Sequence, residues 1–347
     1  MSYTVKSSER LRKSGADFET KSLLYLMNFH SSDIEPHYFI VDFFNDLTGM
    51  DKLGDNLIDV QSKAKSNACA KEIGRELVTL YKNYLSGFHF TEYILFLGGV
   101  PASFRADDTK TEFYLENVKK EAKESLISGL KEEINKKEYT KNLPFNQAIF
   151  DKFIKTVLFV INDKPEQEYV KGIIKTEEIN IVLDESKLIA IFNEIRDRQA
   201  SKKNTNNIEG ITIQVPIDAL NYGRHLTADE IRLLIVNRLL LNNPFNSGIP
   251  TTFCSEVLKN MPPERMQNET DNCRFSIAKV LFNKNSSDNF WKLFENIYIT
   301  IKQLTKSSSL NDIYKKLDEN LIQNFPFLDI LSIKYLISAI KDGIYDN

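Results

Sequence analysis

The chain has 347 residues, 42% of them hydrophobic, which is enough for a sizeable core and argues against disorder. Its formal net charge is −3, so the overall balance neither indicates nor excludes a nucleic-acid partner, and any basic surface must be local. The three cysteines, Cys69, Cys254 and Cys273, form no CxxC pair, which disfavours a disulfide framework and a structural zinc site.

The sequence shows no segment directed to a membrane. The N-terminal stretch MSYTVKSSERLRKSG is basic but is not followed by an apolar run, so it lacks the pattern of a secretory signal. No stretch approaches the roughly 18 apolar residues that a membrane-spanning helix needs. The sequence therefore predicts a soluble, cytoplasmic protein without a membrane partner.

Residues 14–29 have the pattern of a first helix. Ser14 begins it with a capping-box pattern, and Leu23 and Leu26 belong to an apolar stripe at helical spacing. Glu19 shares this inward stripe, where a carboxylate is costly unless it binds a cation or a strong hydrogen-bond donor. The alternative is that Glu19 only lies near the helix start, where the helix dipole favours a negative charge.

Two strand-like runs follow, and both carry polar residues. Residues 38–47 are rich in aromatic and β-branched side chains and predict one strand that ends around Asp46. A turn separates it from a second run, in which the two-residue period places Asp59, Gln61 and Lys63 on the same side. One face of the second strand is therefore predicted to carry an acid, an amide and a base in a row.

A helical glutamate, a carboxylate at a strand end and an [E/Q]-x-K pair on the next strand form a known pattern. With Glu19, Asp46, Gln61 and Lys63, the chain resembles the PD-(D/E)xK nuclease superfamily over about its first 100 residues. The order GADFE, FFND, DVQSK, then a basic helix, is similar to the double-stranded DNA nucleases of CBASS and Lamassu antiphage defence systems. The resemblance implies an α/β restriction-endonuclease-like core, with a mixed sheet flanked by helices.

The resemblance also implies a Mg²⁺ (or Mn²⁺) centre, because phosphodiester hydrolysis uses a divalent cation and Mg²⁺ prefers oxygen ligands. Asp46 is the best candidate ligand, and the backbone carbonyl of Ser62 is a further one. Gln61 offers only a neutral carbonyl oxygen, so the site is one negative charge short of its relatives with Glu. Glu19 and Asp59 are the candidates to compensate for that charge.

Lys63 has a separate role in this interpretation. Its ammonium, held close to the acids, would stabilise the attacking hydroxide or the charge that develops on phosphorus. A different interpretation treats the run as an exposed edge strand whose outward charges discourage aggregation. The order of Glu19 and Asp46 in the chain, together with strands that look buried, favours the nuclease interpretation.

A helix predicted from Ser66 carries a local basic surface. Lys65, Lys71 and Arg75 are the candidates for contact with DNA phosphates, which supply most non-specific affinity. The interspersed residues Glu72 and Glu76 dilute this charge, so a solvated helix face is an equally ordinary interpretation.

The remaining patterns suggest a second domain. They predict an apolar central strand at 90–100 and a charged, solvent-facing helix at 112–140. An apolar run at 157–161, a helix at 185–200 and a polar linker at 201–210 follow. We therefore expect a nuclease domain over 1–205 and a mainly helical C-terminal domain over 206–347. The apolar helices of the latter are expected to form a core, with a surface for partner docking or homo-oligomerisation as the alternative.

Together these patterns predict a Mg²⁺-dependent deoxyribonuclease that cleaves double-stranded DNA with little sequence specificity. The activity is expected to be restrained until partners or oligomerisation release it. In the resembled defence systems partner subunits hold the nuclease, including an SMC-like ATPase if the system is Lamassu. The rival hypothesis is a catalytically inactive nuclease-like subunit that binds DNA or scaffolds a complex. An RNA substrate is a third possibility. The sequence does not decide between DNA and RNA, because it offers no aromatic stacking motif.

Overall fold

The structure is a computed structural model. It describes residues 2–5, 13–141, 146–162, 164–174, 185–203, 205–240, 248–325 and 327–345. Its chain divides into two compact units, which are Met1–Tyr169 with Phe192–Ala228 and Val170–Ile191 with Asp229–Asn347. This division differs from the boundary expected at 205/206, because residues 206–228 belong to the first unit and residues 170–191 to the second.

The first unit is built on a mixed sheet of seven strands. These strands are β2 (Tyr38–Val41), β3 (Leu47–Met50), β4 (Leu57–Lys63), β5 (Phe90–Leu97), β6 (Glu112–Phe113), β7 (Val157–Ile161) and β9 (His225–Thr227). Their order across the sheet is β6-β7-β5-β4-β3-β2-β9. Strands β4, β5 and β7 run parallel to one another, and the other neighbours pair antiparallel. Two further strands, β1 (Tyr3–Thr4) and β8 (Thr212–Ile213), form a separate antiparallel pair.

The expected mixed sheet with flanking helices is confirmed. Helices that belong wholly or partly to the first unit are α1 (Lys13–Asn28), α2 (Ala70–Glu76), α3 (Val78–Tyr84), α4 (Lys120–Lys136), α5 (Glu138–Lys141), α6 (Gln147–Thr156), α7 (Glu166–Ile174) and α8 (Glu185–Lys203). Phe96 of β5 packs on Phe18 and Tyr25 of α1, whereas its neighbour Leu95 belongs to the core formed with α2, α4 and α6. Alternate β5 side chains thus face helices on opposite sides of the sheet.

The prediction of a single strand over residues 38–47 is wrong. Strand β2 ends at Val41 and β3 begins at Leu47, and these two residues pair across a tight antiparallel turn. Asp42 has a left-handed backbone with φ 51°, and its N–H donates to the carbonyl of Asp46 at 3.3 Å. The aromatic composition hid this turn, although Asp and Asn are the residues that favour such conformations.

Two helix predictions also need correction. The helix expected from Ser66 is interrupted at Leu77, which ends α2 and caps the start of α3. Residues 112–140, expected as one helix, instead contain β6, a 3₁₀ turn at Leu115–Asn117 and then α4. The expected helix is therefore found only from residue 120 onward, as α4 and the start of α5.

Helices α2 and α4 cross through glycines. An added Cβ on Gly74 would lie 1.9 Å from the carbonyl oxygen of Leu126, and one on Gly129 would lie 2.1 Å from that of Lys71. Real side chains do not tolerate such distances, so each helix approaches the other's backbone where its own side chain is missing. This contact fixes the basic face of α2 beside the C-terminal end of α4.

The second unit is mainly helical, as expected. Its helices are α9 (Ala228–Leu240), α10 (Thr251–Glu256), α11 (Pro263–Leu281), α12 (Lys284–Gln303), α13 (Leu310–Tyr314), α14 (Glu319–Gln323) and α15 (Ile330–Tyr345). The apolar residues Trp291, Phe294 and Ile297 of α12 are buried, in agreement with the expected core. Across the described ranges of the chain, no helix has the length and apolarity needed to cross a membrane.

We expect Gly129→Ala to destabilise the first unit. Alanine raises helix propensity by about 1 kcal/mol, but the clash with the backbone of α2 costs about 2 kcal/mol or more, so the net effect is unfavourable. Gly248→Ala is the matched control, because no atom lies within 4 Å of its added Cβ. Calorimetric melting should show a lower transition temperature for Gly129→Ala alone, and equal transitions for both variants would contradict the close crossing.

Candidate active site

A cleft of about 730 Å³ lies in the first unit and gathers side chains from distant parts of the sequence. It is lined by the start of α1, the β2–β3 turn, the end of β4, α2, the C-terminal end of α4, and Lys203 at the end of α8. The residues predicted from the resemblance that line it are Glu19, Asp46, Gln61, Ser62 and Lys63. The structure therefore brings these five together in one cleft.

Asp46 is held by donors from β4. Its Oδ2 accepts hydrogen bonds from Gln61 Nε2 at 2.8 Å, from the Ser62 backbone N–H at 2.9 Å and from Ser62 Oγ at 3.0 Å. Gln61 was expected to offer its carbonyl oxygen as a ligand, but here its amide donates and orients Asp46. Every described bond goes to Oδ2, so Oδ1 is the oxygen of this carboxylate that can accept a further partner.

Two other carboxylates of the cleft share one lysine. The ammonium of Lys203 lies 2.5 Å from Glu19 Oε2 and 3.2 Å from Asp42 Oδ2. The Lys203 side chain is only 6% exposed, and both carboxylates are largely buried. We refer to Glu19, Asp42 and Asp46 as the acidic cluster.

Lys203 reaches the acidic cluster because α8 docks on α1 through polar contacts. Arg196 Nη1 pairs with Asp17 Oδ1 at 3.0 Å, and Thr20 Oγ1 donates to Gln199 Oε1 at 2.8 Å. Arg196, Gln199 and Lys203 lie on one face of α8 at helical spacing. The end of α8 is thereby fixed against α1, and Lys203 points into the cleft.

Sequence reasoning missed both Asp42 and Lys203. Asp42 was assigned to the interior of a strand, whereas it lies in the turn that brings it close to Asp46. Lys203 was assigned to the polar linker 201–210, although residues 201–203 complete α8. An aspartate at each end of the short segment 42–46 was the available signal for the turn, and no local pattern identified Lys203.

The electrostatics of the acidic cluster reflect this crowding. Burial, followed by the charge of Glu19, raises the pKa of Asp46 to about 8, although the Ser62 N–H partly opposes the rise. Burial disfavours the charged form of Lys203, but Asp42 and Glu19 outweigh it and hold the lysine pKa above its usual value. Lys203 therefore stays protonated while negative charge remains in excess around it.

Lys63 lies on the cleft wall, but its closest acid is not in the acidic cluster. Its Nζ pairs with Glu76 Oε1 of α2 at 2.6 Å, with 40% of the lysine side chain exposed. An ion pair this exposed contributes little free energy, so a phosphate can compete with Glu76 for Lys63.

The structure corrects the assignment of Asp59 to the site. Asp59 shares the strand face of Gln61, as predicted, but it lies one step deeper, fully buried, where its Oδ2 accepts from Asn83 Nδ2 of α3 at 2.7 Å. Asn83 Oδ1 in turn accepts from the Tyr3 hydroxyl at 2.9 Å. Asp59 does not line the cleft and instead belongs to a buried polar network that joins β1, β4 and α3.

Each predicted phosphate-binding residue is already paired with a glutamate. Lys65 lies 2.8 Å from Glu72, and Lys71 and Arg75 lie 3.2 Å and 2.8 Å from Glu132. These side chains are well exposed, so the pairs are weak and exchangeable. Lys65 and Arg75 line the cleft together with two lysines that the sequence did not single out, Lys136 and Lys137 at the end of α4.

The donor set of the cleft fits a Mg²⁺ ion of the kind that keeps most of its waters. Mg²⁺ is commonly bound by one or two carboxylates, substrate phosphates and several waters, and Asp46 Oδ1 is a hard oxygen donor of this type. A closed ligand cage is not present: among the described residues, no three His, Cys, Asp or Glu side chains are grouped to hold a metal ion.

Comparisons of this chain with protein-family models, with curated proteins and with solved structures give no match.

We expect Asp59→Asn to alter how stability depends on pH. Burial raises the pKa of Asp59 to about 7, although the Asn83 hydrogen bond partly opposes this. The folded protein then holds a proton that the unfolded chain releases near pH 4, so Asp59 makes stability fall as pH rises from about 4 to about 7. Asparagine still accepts from Asn83 but does not titrate.

Denaturant unfolding at pH 5 and pH 8 measures this effect. The free energy of unfolding of Asp59→Asn, measured relative to that of the wild type, should be higher at pH 8 than at pH 5 by on the order of 2 kcal/mol. The control Asp55→Asn changes an exposed carboxylate in the same unit and should follow the wild-type pH dependence. Parallel stability curves for Asp59→Asn and the wild type would contradict the assignment of a raised pKa.

Proposed function

We propose that this chain is a metal-dependent nuclease with a restriction-endonuclease-like core that hydrolyses phosphodiester bonds of double-stranded DNA. The observation that supports the proposal is convergence on one cleft. Glu19 comes from α1, Asp46 from the β2–β3 turn, and Gln61 and Lys63 from β4. A pattern of residue types taken from separated stretches of sequence has no reason to meet at one surface unless the fold places it there.

The residues of the cleft suit phosphodiester chemistry. Asp46 would hold Mg²⁺ or Mn²⁺ through Oδ1, with Gln61 orienting it through its amide, and the ion when bound polarises a phosphate and lowers the pKa of water. Ser62 fixes the orientation of Asp46 through its N–H and hydroxyl. Lys63 presents a half-exposed ammonium that can stabilise negative charge developing on phosphorus.

The rim of the cleft suits a polyanion. Lys65, Arg75, Lys136 and Lys137 surround it. Lys136 and Lys137 lie 3.9 Å and 3.6 Å from the largely buried Glu133. Lys65 and Arg75 pair with solvent-exposed carboxylates of α2 and α4. Phosphates can replace such carboxylates at little cost, and these contacts read no base sequence. This supports non-specific binding of a DNA duplex, and competition with duplex RNA tests the alternative substrate.

An inactive nuclease-like subunit is the second candidate function. The observation that favours it is the shortage of unpaired carboxylates, because Lys203 engages Glu19 and Asp42, and position 61 is a Gln. A protein of this kind would keep the rim for DNA binding or for a scaffold without supporting hydrolysis.

The biological setting we propose is that of a regulated effector subunit of a cytoplasmic antiphage defence complex. Its support is the resemblance to CBASS and Lamassu nucleases, together with a helical second unit that could receive partner subunits or a second copy. An SMC-like ATPase is the expected partner if the system is Lamassu. Genes that neighbour this one identify which partners to add in a reconstitution.

We expect Asp46→Asn and Lys63→Ala each to reduce cleavage of a supercoiled plasmid in Mg²⁺ by about 100-fold or more. Asparagine removes the charged ligand, and alanine removes the ammonium that faces the phosphate. Lys152→Ala, an exposed lysine of α6 outside the cleft, should cleave as the wild type does. The readout is the rate of nicking on agarose gels, with and without the products of neighbouring genes.

Two results separate the candidates. Equal degradation by Lys63→Ala and the wild type would remove Lys63 from the mechanism. A wild type that binds plasmid but never cuts it, even with partner proteins present, would favour the inactive subunit.

We expect Glu132→Gln to strengthen DNA binding. Glu132 pairs with both Lys71 and Arg75, so its neutralisation releases two cations for phosphate contacts. Affinity for a short duplex at low salt should rise several-fold, and its salt dependence should steepen by up to about two units of log–log slope, about 0.9 for each new phosphate contact. Glu124→Gln makes the same charge change at an exposed site on the same helix and should have a smaller effect. Equal affinities for the two variants would identify the α2 surface as a solvated face.

A further inference from the structure

The ammonium of Lys203 binds Glu19 and Asp42 together, as a bound metal cation would. One ammonium bridges two carboxylates that come from α1 and from the β2–β3 turn, at 2.5 Å and 3.2 Å. Lysine is rarely buried unless it is paired, and here its side chain is 6% exposed. The two carboxylates are likewise almost hidden from water, so the lysine charge offsets their desolvation cost.

This lysine is fixed in place rather than swinging in from solvent. The Thr20–Gln199 hydrogen bond is buried one turn away, and the Asp17–Arg196 pair lies two turns away along the same α1–α8 contact. Displacing Lys203 from the acidic cluster therefore requires more than a rotamer change, because the backbone that carries it is docked on α1.

The charges indicate what this arrangement does. The acidic cluster contains three carboxylates that influence one another, and Lys203 cancels one of their negative charges. In nuclease centres that use two divalent ions, the pair of ions clamps both sides of the phosphate. A fixed ammonium beside Asp46 can serve as one half of such a clamp.

We propose that Lys203 is the resident cation of the Glu19–Asp42 pair and excludes divalent ions from it, so that the cleft accepts a divalent ion only at Asp46. The position of the divalent ion at Asp46 rests on the proposed function, whereas the exclusion from Glu19 and Asp42 does not. Lys203 acts as a positioning residue for these two carboxylates.

The test counts Mn²⁺ ions bound per chain by equilibrium dialysis with electron paramagnetic resonance of free Mn²⁺. Lys203→Met, which keeps the length of the side chain but not its charge, should bind one Mn²⁺ more than the wild type. Lys203→Arg should match the wild type, and so should Lys202→Met, which removes a neighbouring lysine. Adding Asp42→Asn to Lys203→Met should abolish the extra ion. Melting temperature should rise with Mn²⁺ more for Lys203→Met than for the wild type.

Several outcomes would overturn the inference. Equal Mn²⁺ counts for folded Lys203→Met and the wild type would do so, as would an extra ion that survives Asp42→Asn. If Lys203→Met does not fold, anomalous diffraction from wild-type crystals soaked in Mn²⁺ decides. A peak between Glu19 and Asp42 contradicts the inference. Crystals that take up Mn²⁺ at Asp46 but show no peak between Glu19 and Asp42 support it. A wild type that binds no Mn²⁺ beside a Lys203→Met that binds one supports the inference but contradicts the proposed metal-dependent function.

Discussion

The turn that joins β2 to β3 is the constraint on which the candidate site depends. It carries Asp42 and Asp46 within five residues and turns both toward the same cleft. A left-handed backbone at a residue other than glycine costs about 1 kcal/mol, so the surrounding structure must hold Asp42 in place. Arg224, which directly precedes β9, holds Asp42 in place. Arg224 Nη1 donates to the Asp42 carbonyl at 3.3 Å, and the Arg224 carbonyl accepts from the Val41 N–H at 2.8 Å.

The same turn is held from the other side by the buried polar network. The carbonyl of Phe44 accepts from Asn83 Nδ2 at 3.1 Å, and the Tyr3 hydroxyl, which donates to Asn83 Oδ1, lies 3.2 Å from the same carbonyl. Asn83 also binds Asp59, so the network ties the turn to β4 directly below Gln61. Asp59 therefore supports the site without being part of it. Strand β1, helix α3 and Arg224 are distant in sequence, yet all three determine where Asp46 lies.

The sequence allowed prediction of those features whose signal is local. Alternation in β4 correctly placed Gln61 and Lys63 on one face, and helical spacing correctly turned Glu19 inward from α1. The turn at 42–46 was hidden because aromatic residues between the two aspartates imitate a strand. Lys203 could not be found, since it joins the site only through the docking of α8 on α1, which is a contact between residues more than 170 positions apart.

Gln61 and Lys203 both compensate the buried negative charge of the acidic cluster, one with an amide donor and the other with an ammonium. A glutamate at position 61 would bring a second carboxylate against Asp46, and two anions at hydrogen-bonding distance need a shared proton or a cation between them. The amide instead donates to Asp46 Oδ2, and the ammonium of Lys203 satisfies Glu19 and Asp42. Each contact compensates a buried charge with a group that belongs to the chain. The acidic cluster can therefore be assembled by folding alone, and a divalent ion would add to a site that is already shaped rather than create it. On the proposed metal-dependent function, the affinity for the ion would be lower than at a site without these internal donors, because fewer negative charges are left to attract it.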